Sequence, residues 1–525
     1  MDVFWNGLGE VWSFITPDTW GFTLFGNLLT AGMSWWQWVL VLLDFTLKIV
    51  ALGYVPSQRR PTSAMAWLLA IFLLPFIGIV LFMLIGSPAI NRRRHRIQNT
   101  ANEQIRTVSH DEPDIPDGHA LSDELVSMVR LNRHLTAMPA TSGTVVAVHA
   151  DYDATIRRMA EVIDKAEKYV NCQIYITSWD STTDVLFRAL ERAVQRGVTV
   201  RYLFDHVGSW KYPGYMTLGK RLDAIGVQWM VTLPLQPWRW RFRRPDLRNH
   251  RKILVVDGHT GFMGSQNMID SSYLMKGNVR EGRHWIDLMV ELTGPVVSML
   301  NSIFAVDWFT ESDEMIDVLT PTEATRQLDA GEMFGDDSPT SGSDVLQLIP
   351  SGPGFTTAPN LRLFTSVAHH AKERLILVSP YFIPDESLLD AVTTASYRGV
   401  DVELFVSEKA DQALVDHAQS SYYAELLHAG VRIHQYPYPA VLHSKYAVAD
   451  DDVVLVGSSN MDMRSFELNY EVTLMSLEGS LLDRLVTLTD AYREASRELT
   501  AERWSRRNWW RRYTDNVARL TSALQ

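Results

Sequence analysis

Apolar positions along the chain change their period twice. From Trp38 to Val55 they run almost unbroken, interrupted by Asp44, Thr46 and Lys48, and from Ala64 to Ile85 they run without any charge. Each stretch is near the ~20 residues needed to cross a hydrocarbon core as a helix, so the pattern predicts two transmembrane helices within residues 36–90. Pro75 interrupts the second, which membrane helices tolerate where neighbours satisfy the freed carbonyl. Asp44 and Lys48 are one helical turn apart and can pair, which lowers the cost of burying either. Farther on, helical and strand periods alternate. Ala154–Lys168 reads as helix, Tyr169–Thr177 as strand, Val185–Arg196 as helix and Val198–Phe204 as strand. Leu361–Lys372, Arg374–Ser379, Ser387–Tyr397 and Val400–Val406 repeat that order, and Arg196-Gly197-Val198 recurs as Arg398-Gly399-Val400. The alternation predicts an α/β protein with two similar sandwich halves, 146–310 and 346–500, each built on a mixed sheet.

The remaining segments read differently. Residues 91–145 are polar, with Pro113, Pro116 and Pro139, and 311–345 are acidic and rich in Thr, Ser, Gly and Pro; both are expected to be linkers. Residues 1–30 contain no Lys or Arg but include Asp2, Glu10 and Asp18, which argues against a cleaved leader. Trp5, Phe14, Trp20 and Phe22 suit residues 1–35 to the membrane interface instead. Two spans place Arg59 and Arg60 on one side and Arg92, Arg93, Arg94 and Arg96 on the other, which favours a cytoplasmic location for everything after residue 90. A net charge of -12 opposes a general grip on nucleic acid. The single cysteine, Cys172, excludes an internal disulfide framework. Two basic-aromatic clusters, Trp238-Arg239-Trp240-Arg241 and Trp509-Trp510-Arg511-Arg512 in the segment 501–525, are candidates for contact with anionic lipid.

Chemistry enters with a repeated motif. His250-Arg251-Lys252-Ile253-Leu254-Val255-Val256-Asp257 is matched in pattern by His443-Ser444-Lys445-Tyr446-Ala447-Val448-Ala449-Asp450. After each aspartate, at the same spacing, comes Gly-Ser-x-Asn: Gly264, Ser265 and Asn267, then Gly457, Ser458 and Asn460. A duplicated pattern of this length implies two catalytic half-sites. Two lysines can compensate the negative charge that grows on a phosphodiester as it reacts, and the asparagines can add neutral donors. Displacing an alkoxide without a metal needs a nucleophile on one side and a proton donor on the other, and histidine can serve as either. Asp257 and Asp450 fall at an odd offset from their histidines along a strand and are expected to be structural. Asp287 and Glu471, each opening a β-like stretch downstream, are candidates for orienting the imidazoles. No metal or organic cofactor is required by this set.

The pattern H-x-K-x4-D-x6-G-S-x-N resembles the signature of the phospholipase D superfamily, whose two halves each supply one histidine. Arg60-Pro61, Ala66-Trp67-Leu68-Leu69, Leu74-Pro75 and Gly78 are similar to the N-terminal module of bacterial cardiolipin synthases, as are Tyr381-Phe382-Ile383-Pro384-Asp385 and Leu426-Leu427-His428-Ala429-Gly430-Val431 to their second half. The resemblance implies two tandem α/β/α halves related by a pseudo-twofold axis, a multi-pass enzyme of the bacterial inner membrane, and transfer between two phosphatidylglycerol molecules to give cardiolipin and glycerol. It implies His250 as the nucleophile and His443 as the proton donor. A hydrolytic phospholipase D, a transferase using another head-group alcohol, a nuclease and a non-catalytic membrane scaffold remain open at this level.

Overall fold

A computed structural model describes residues 35–57, 61–86, 92–110, 112–236, 241–242, 246–329 and 344–520. The aromatic segment before Trp35 lies outside them, as do Trp238, Arg239 and Trp240. The chain divides into two compact units, 1–88 and 89–525.

In the first unit, Trp35–Tyr54 is a 20-residue helix, apolar and long enough to cross a membrane. The Lys48 ammonium lies 2.7 Å from the Asp44 carboxylate within it. The second apolar stretch is broken into shorter pieces rather than forming one continuous helix like the first. Helix Pro61–Leu73 stops, helix Pro75–Leu81 starts at once, and a π-helical turn, Phe82–Gly86, follows. Pro75 has no N–H to donate, and its ring would strike the carbonyl one turn earlier, so the first helix cannot continue through it. The chain then doubles back. A Cβ on Gly78 would stand 2.6 Å from the Ala70 carbonyl oxygen, and the Phe82 ring packs edge-on against Trp67 with centroids 5.5 Å apart.

The second unit is organised by one sheet in which the two halves join edge to edge. From the junction outward the first half runs Ala140–His149, Met289–Thr293, Thr260–Gly264, Ile253–Val256, Tyr169–Ile174, Thr199–Asp205, Gln228–Thr232. The second half runs Asp344–Ser351, Asn469–Glu478, Val453–Gly457, Tyr446–Ala449, Arg374–Val378, Asp401–Ser407, Arg432–Tyr436. The two lists correspond strand for strand, the second half adding Arg497–Leu499 at its outer edge, and Ala140–Gly143 pairs antiparallel with Asp344–Gln347 at the centre. Helices cover both faces, which explains why the motif strands are apolar at every position. Ile253 and Val255 pack with Val296, Val297 and Leu300 of helix Val296–Ser312, while Leu254 and Val256 pack with Ile156, Met159 and Ala160 of helix Tyr152–Asp164.

Residues 91–145 are corrected. They hold helices Arg92–Val108 and Asp123–Thr136 and the start of the central strand rather than a linker. Helix Asp123–Thr136 is capped by the Ser122 side chain and buries Leu125, Met128 and Val129 in the core of the second half. Of the acidic connector, Pro321–Asp329 is helical and 330–343 lie outside the described residues.

Candidate active site

Both histidines stand just before a buried strand, where the chain crosses from one half toward the other. Short parallel pairings hold these crossings: Arg248–Asn249 with Asn469–Tyr470, and His284–Ile286 with Ala440–Leu442. The His250 amide donates to the Tyr470 carbonyl at 2.9 Å, and the His443 amide to that of Ile286 at 2.8 Å. Each histidine is thereby fixed by the backbone of the opposite half.

The side chains follow the same exchange. His250 Nδ1 lies 2.9 and 3.1 Å from the two Glu471 oxygens, and His443 Nδ1 lies 2.6 Å from Asp287 Oδ1. A carboxylate only accepts, so each Nδ1 carries the proton and each Nε2 keeps a free lone pair. The serine of each motif donates to the acid of its own half: Ser265 to Asp287 and Ser458 to Glu471, both at 2.5 Å. Each carboxylate thus receives a hydroxyl from its own half and an imidazole from the other.

The glycines permit this closeness. A Cβ on Gly264 would stand 2.3 Å from the Leu288 carbonyl oxygen, and one on Gly457 2.2 Å from that of Val472. The backbone carrying each acid runs directly against its glycine. Asp257 and Asp450 face away from the histidines. Asp257 accepts the amides of Glu167, Lys168 and Tyr169 at 2.8, 2.8 and 2.7 Å, and Asp450 those of Lys372, Glu373 and Arg374 at 2.9, 2.8 and 3.0 Å. They tie the motif strand to the start of its neighbour. Among the described residues His370, Asp450 and Asp452 bring potential metal ligands within 4.8 Å of one another, but Asp450 is committed to those amides.

Lys252 and Lys445 are buried, each donating to the carbonyl of its own histidine, at 2.7 and 2.5 Å. Asn267 accepts the Ile176 amide at 3.0 Å and donates to the Tyr273 hydroxyl at 2.8 Å, which makes it chiefly a positioning group. Asn460 is also buried, and its Oδ1 has no hydrogen-bond partner among the described residues.

Several contributors were not evident from the motif. Tyr175 sets its ring edge against His250, centroids 4.7 Å apart, with the Lys252 ammonium 5.2 Å from the same ring. Its place on the strand-to-loop segment equivalent to Pro380 gave no signal. Arg248 pairs with Asp205 at 3.1 Å, both fully buried, and Asp205 also accepts the Asn249 amide. The variable position inside the motif points into the core: Arg251 to Asp307 at 2.7 Å, and Ser444 to the Tyr492 hydroxyl at 2.8 Å.

The electrostatics follow from this packing. Burial lowers the pKa of both histidines to about 4 despite their carboxylate partners, so both imidazoles are neutral at pH 7 in the free site. Burial also raises the cost of charging Glu471 and Asp287, but the facing imidazole and nearby lysine hold both carboxyls below their ordinary values. Lys445 acts on His250, and Lys252 on His443, which places all four groups in one electrostatic site. Burial brings Lys445 down to about 8, with Asp287 and Glu471 resisting the fall. Lys445 is a cation below that pH and neutral above it. For a phosphodiester substrate, kcat/KM is therefore expected to decline as pH rises through about 8, and a Lys445→Arg variant that retains activity should lose this limb. A profile flat to pH 10 in the parent enzyme would remove Lys445 from that role.

Comparisons with known proteins show the family to which the chain belongs. The family model described as "Cardiolipin synthase, PLD-like domain" matches residues 159–308 and 365–488, and that described as "Phospholipase_D-nuclease N-terminal" matches 46–87. These define a phospholipase D-like protein. Cardiolipin synthase A of Serratia proteamaculans (strain 568) is 31% identical, covering 96% of this chain and 100% of the relative. Cardiolipin synthase A of Yersinia pestis bv. Antiqua (strain Nepal516) is also 31% identical, over 90% and 95%. A phosphatidylserine synthase from Haemophilus influenzae Rd KW20 shares the fold at a TM-score of 0.55, with 15% identity, covering 77% of this chain and 100% of that one. The chain belongs to the phospholipase D-like family of cardiolipin synthases.

Proposed function

We propose that the enzyme transfers a phosphatidyl group from one phosphatidylglycerol to another, giving cardiolipin and glycerol. The observation that carries the mechanism is the pair of buried, neutral imidazoles, each held by a carboxylate through Nδ1 with Nε2 free. His250 Nε2 attacks phosphorus and forms a phosphatidyl-histidine as the bond to the glycerol oxygen breaks. His443, having taken up a proton at Nε2 from solvent as the substrate binds, passes that proton to the leaving oxygen. The bound phosphodiester brings the negative charge that favours protonating one imidazole. In the second step His443 takes the proton from a primary hydroxyl of the incoming phosphatidylglycerol, whose oxygen displaces His250. Lys252 and Lys445 balance the charge on the phosphoryl oxygens in both steps. His250 suits the nucleophile because its ring is held by Glu471, by the Ser458 carbonyl at 3.1 Å and by the Tyr175 edge.

The test is product analysis by mass spectrometry with purified enzyme and phosphatidylglycerol as the lipid, in the presence of EDTA. Cardiolipin and glycerol in equal amounts are expected. Phosphatidic acid without cardiolipin would make the enzyme a hydrolase, and activity that needs added magnesium would contradict charge compensation by the lysines.

We place the reaction at the cytoplasmic face of a bacterial inner membrane, with Trp35–Tyr54 as the anchor. A second contact is proposed at helix Trp509–Arg519. Trp509 and Trp510 stack with centroids 3.9 Å apart and, with Tyr513 and Val517, are exposed on the catalytic unit, while Asp515 and Ala518 face inward. Arg511 reaches Asp416 at 3.2 Å, and Arg512 is exposed beside the tryptophans. Of the other cluster, only the backbone of Arg241 is described, in a short strand with Phe242. A chain lacking residues 1–88 is expected to sediment with anionic vesicles at low salt and to release at high salt. Alanine at Trp509 and Trp510 should weaken that binding, because both rings are placed to anchor at the interface. Retention of the parent's sedimentation by the double variant would rule this contact out.

A further inference from the structure

We infer that residues 61–86 form a re-entrant hairpin whose lipid-facing surface fits a single leaflet, so that the chain crosses the bilayer once. The inference rests on reading the first unit as membrane-embedded and is independent of the reaction. Three observations lead to it.

The first is length. Helix Pro61–Leu73 has 13 residues, about 20 Å at 1.5 Å per residue, against a hydrocarbon core of about 30 Å. The return arm lies along it, with Gly78 against the backbone of Ala70 and Ile71, Phe82 against Trp67, and a Gly86 Cβ only 3.0 Å from the Trp67 ring. The return arm therefore runs back along the first helix as far as Trp67.

The second is the turn itself. A turn made for water carries polar or flexible residues, whereas here Leu73, Leu74 and Ile77 are exposed around Pro75. Part of the backbone at the turn is satisfied internally, as hydrocarbon favours. The Leu74 amide donates to Ala70, the Gly78 amide donates to Leu74, and Pro75 has no N–H to satisfy.

The third is charge. Two straight spans would divide the basic residues, with Arg59 and Arg60 opposite Arg92, Arg93, Arg94 and Arg96. A hairpin that returns the chain to the side it entered would leave no crossing between Arg59–Arg60 and Arg92–Arg96. Before the crossing, the sequence of residues 1–34 carries no Lys or Arg and includes Asp2, Glu10 and Asp18. The positive-inside rule then reads without conflict, placing the catalytic unit in the cytoplasm and the N-terminus outside.

Side-specific labelling of the full chain tests this. Cys172 is the only native cysteine and is buried, so single introduced cysteines report cleanly. Ser13→Cys, Ser57→Cys and Met216→Cys mark the N-terminus, the connector and an exposed site on the catalytic unit, 87% accessible. In intact spheroplasts a membrane-impermeant maleimide is expected to label S13C alone, with S57C and M216C reacting only after lysis. Labelling of S13C and M216C from the same side would overturn the inference, since that requires an even number of crossings. Labelling needs no turnover, so the outcome stands whatever the products of the reaction prove to be.

Discussion

Alanine at either His250 or His443 is expected to lower turnover by about 10⁴-fold, but the two variants should fail at different steps. Loss of His443 removes the proton donor and leaves the nucleophile in place. Offered a phosphatidyl ester with an activated leaving group, which needs no protonation, the His443→Ala enzyme should accumulate a phosphatidyl adduct on His250 that peptide mass spectrometry can locate. The His250→Ala enzyme should form none. An adduct on His443 in the latter would reverse the roles while leaving the two-histidine mechanism standing.

The second large effect concerns the acids. Glu471→Gln and Asp287→Asn preserve volume but remove the partner that fixes the Nδ1–H tautomer, and each is expected to reduce turnover by roughly 10²- to 10⁴-fold. The adduct experiment separates them in a way that the chain order would not suggest. Added to His443→Ala, the Glu471→Gln change should abolish labelling of His250, because Glu471 is the acid that holds it. Asp287→Asn in the same background should leave labelling largely intact. If Asp287→Asn were the change that stops the adduct, the cross-half pairing would not operate in solution.

How much of this was legible in the sequence depends on range. His250, Lys252, Gly264, Ser265 and Asn267 and their counterparts lie on short contiguous segments, so their spacing survives in the linear pattern. The eight expected helices and strands of the two halves stand within a few residues of the observed bounds, because each carries its own periodicity. The acids Asp287 and Glu471 were visible as residues, but their partners were not. His250 meets an acid 221 residues away, and nothing local distinguishes that pairing from one within the same half. The hairpin was hidden for a different reason. Hydropathy records that Ala64–Ile85 is apolar, not the direction in which it runs, and the reversal shows only in Pro75 followed by a glycine small enough for helices to touch. Helix Asp123–Thr136 was missed although Ser122 followed by Asp123 and Glu124, with Leu125, Met128 and Val129 at helical spacing, is a legible start signal.

Because Glu471 serves His250 and Asp287 serves His443, each half taken alone holds a histidine and an acid that are not partners in this site. A shorter ancestral chain of this design would gain working sites only by self-association, each copy lending its acid to the other. Fusion makes that reciprocity intramolecular and independent of concentration. It also frees corresponding positions to diverge, as they have where Arg251 pairs with Asp307 in one half and Ser444 meets Tyr492 in the other.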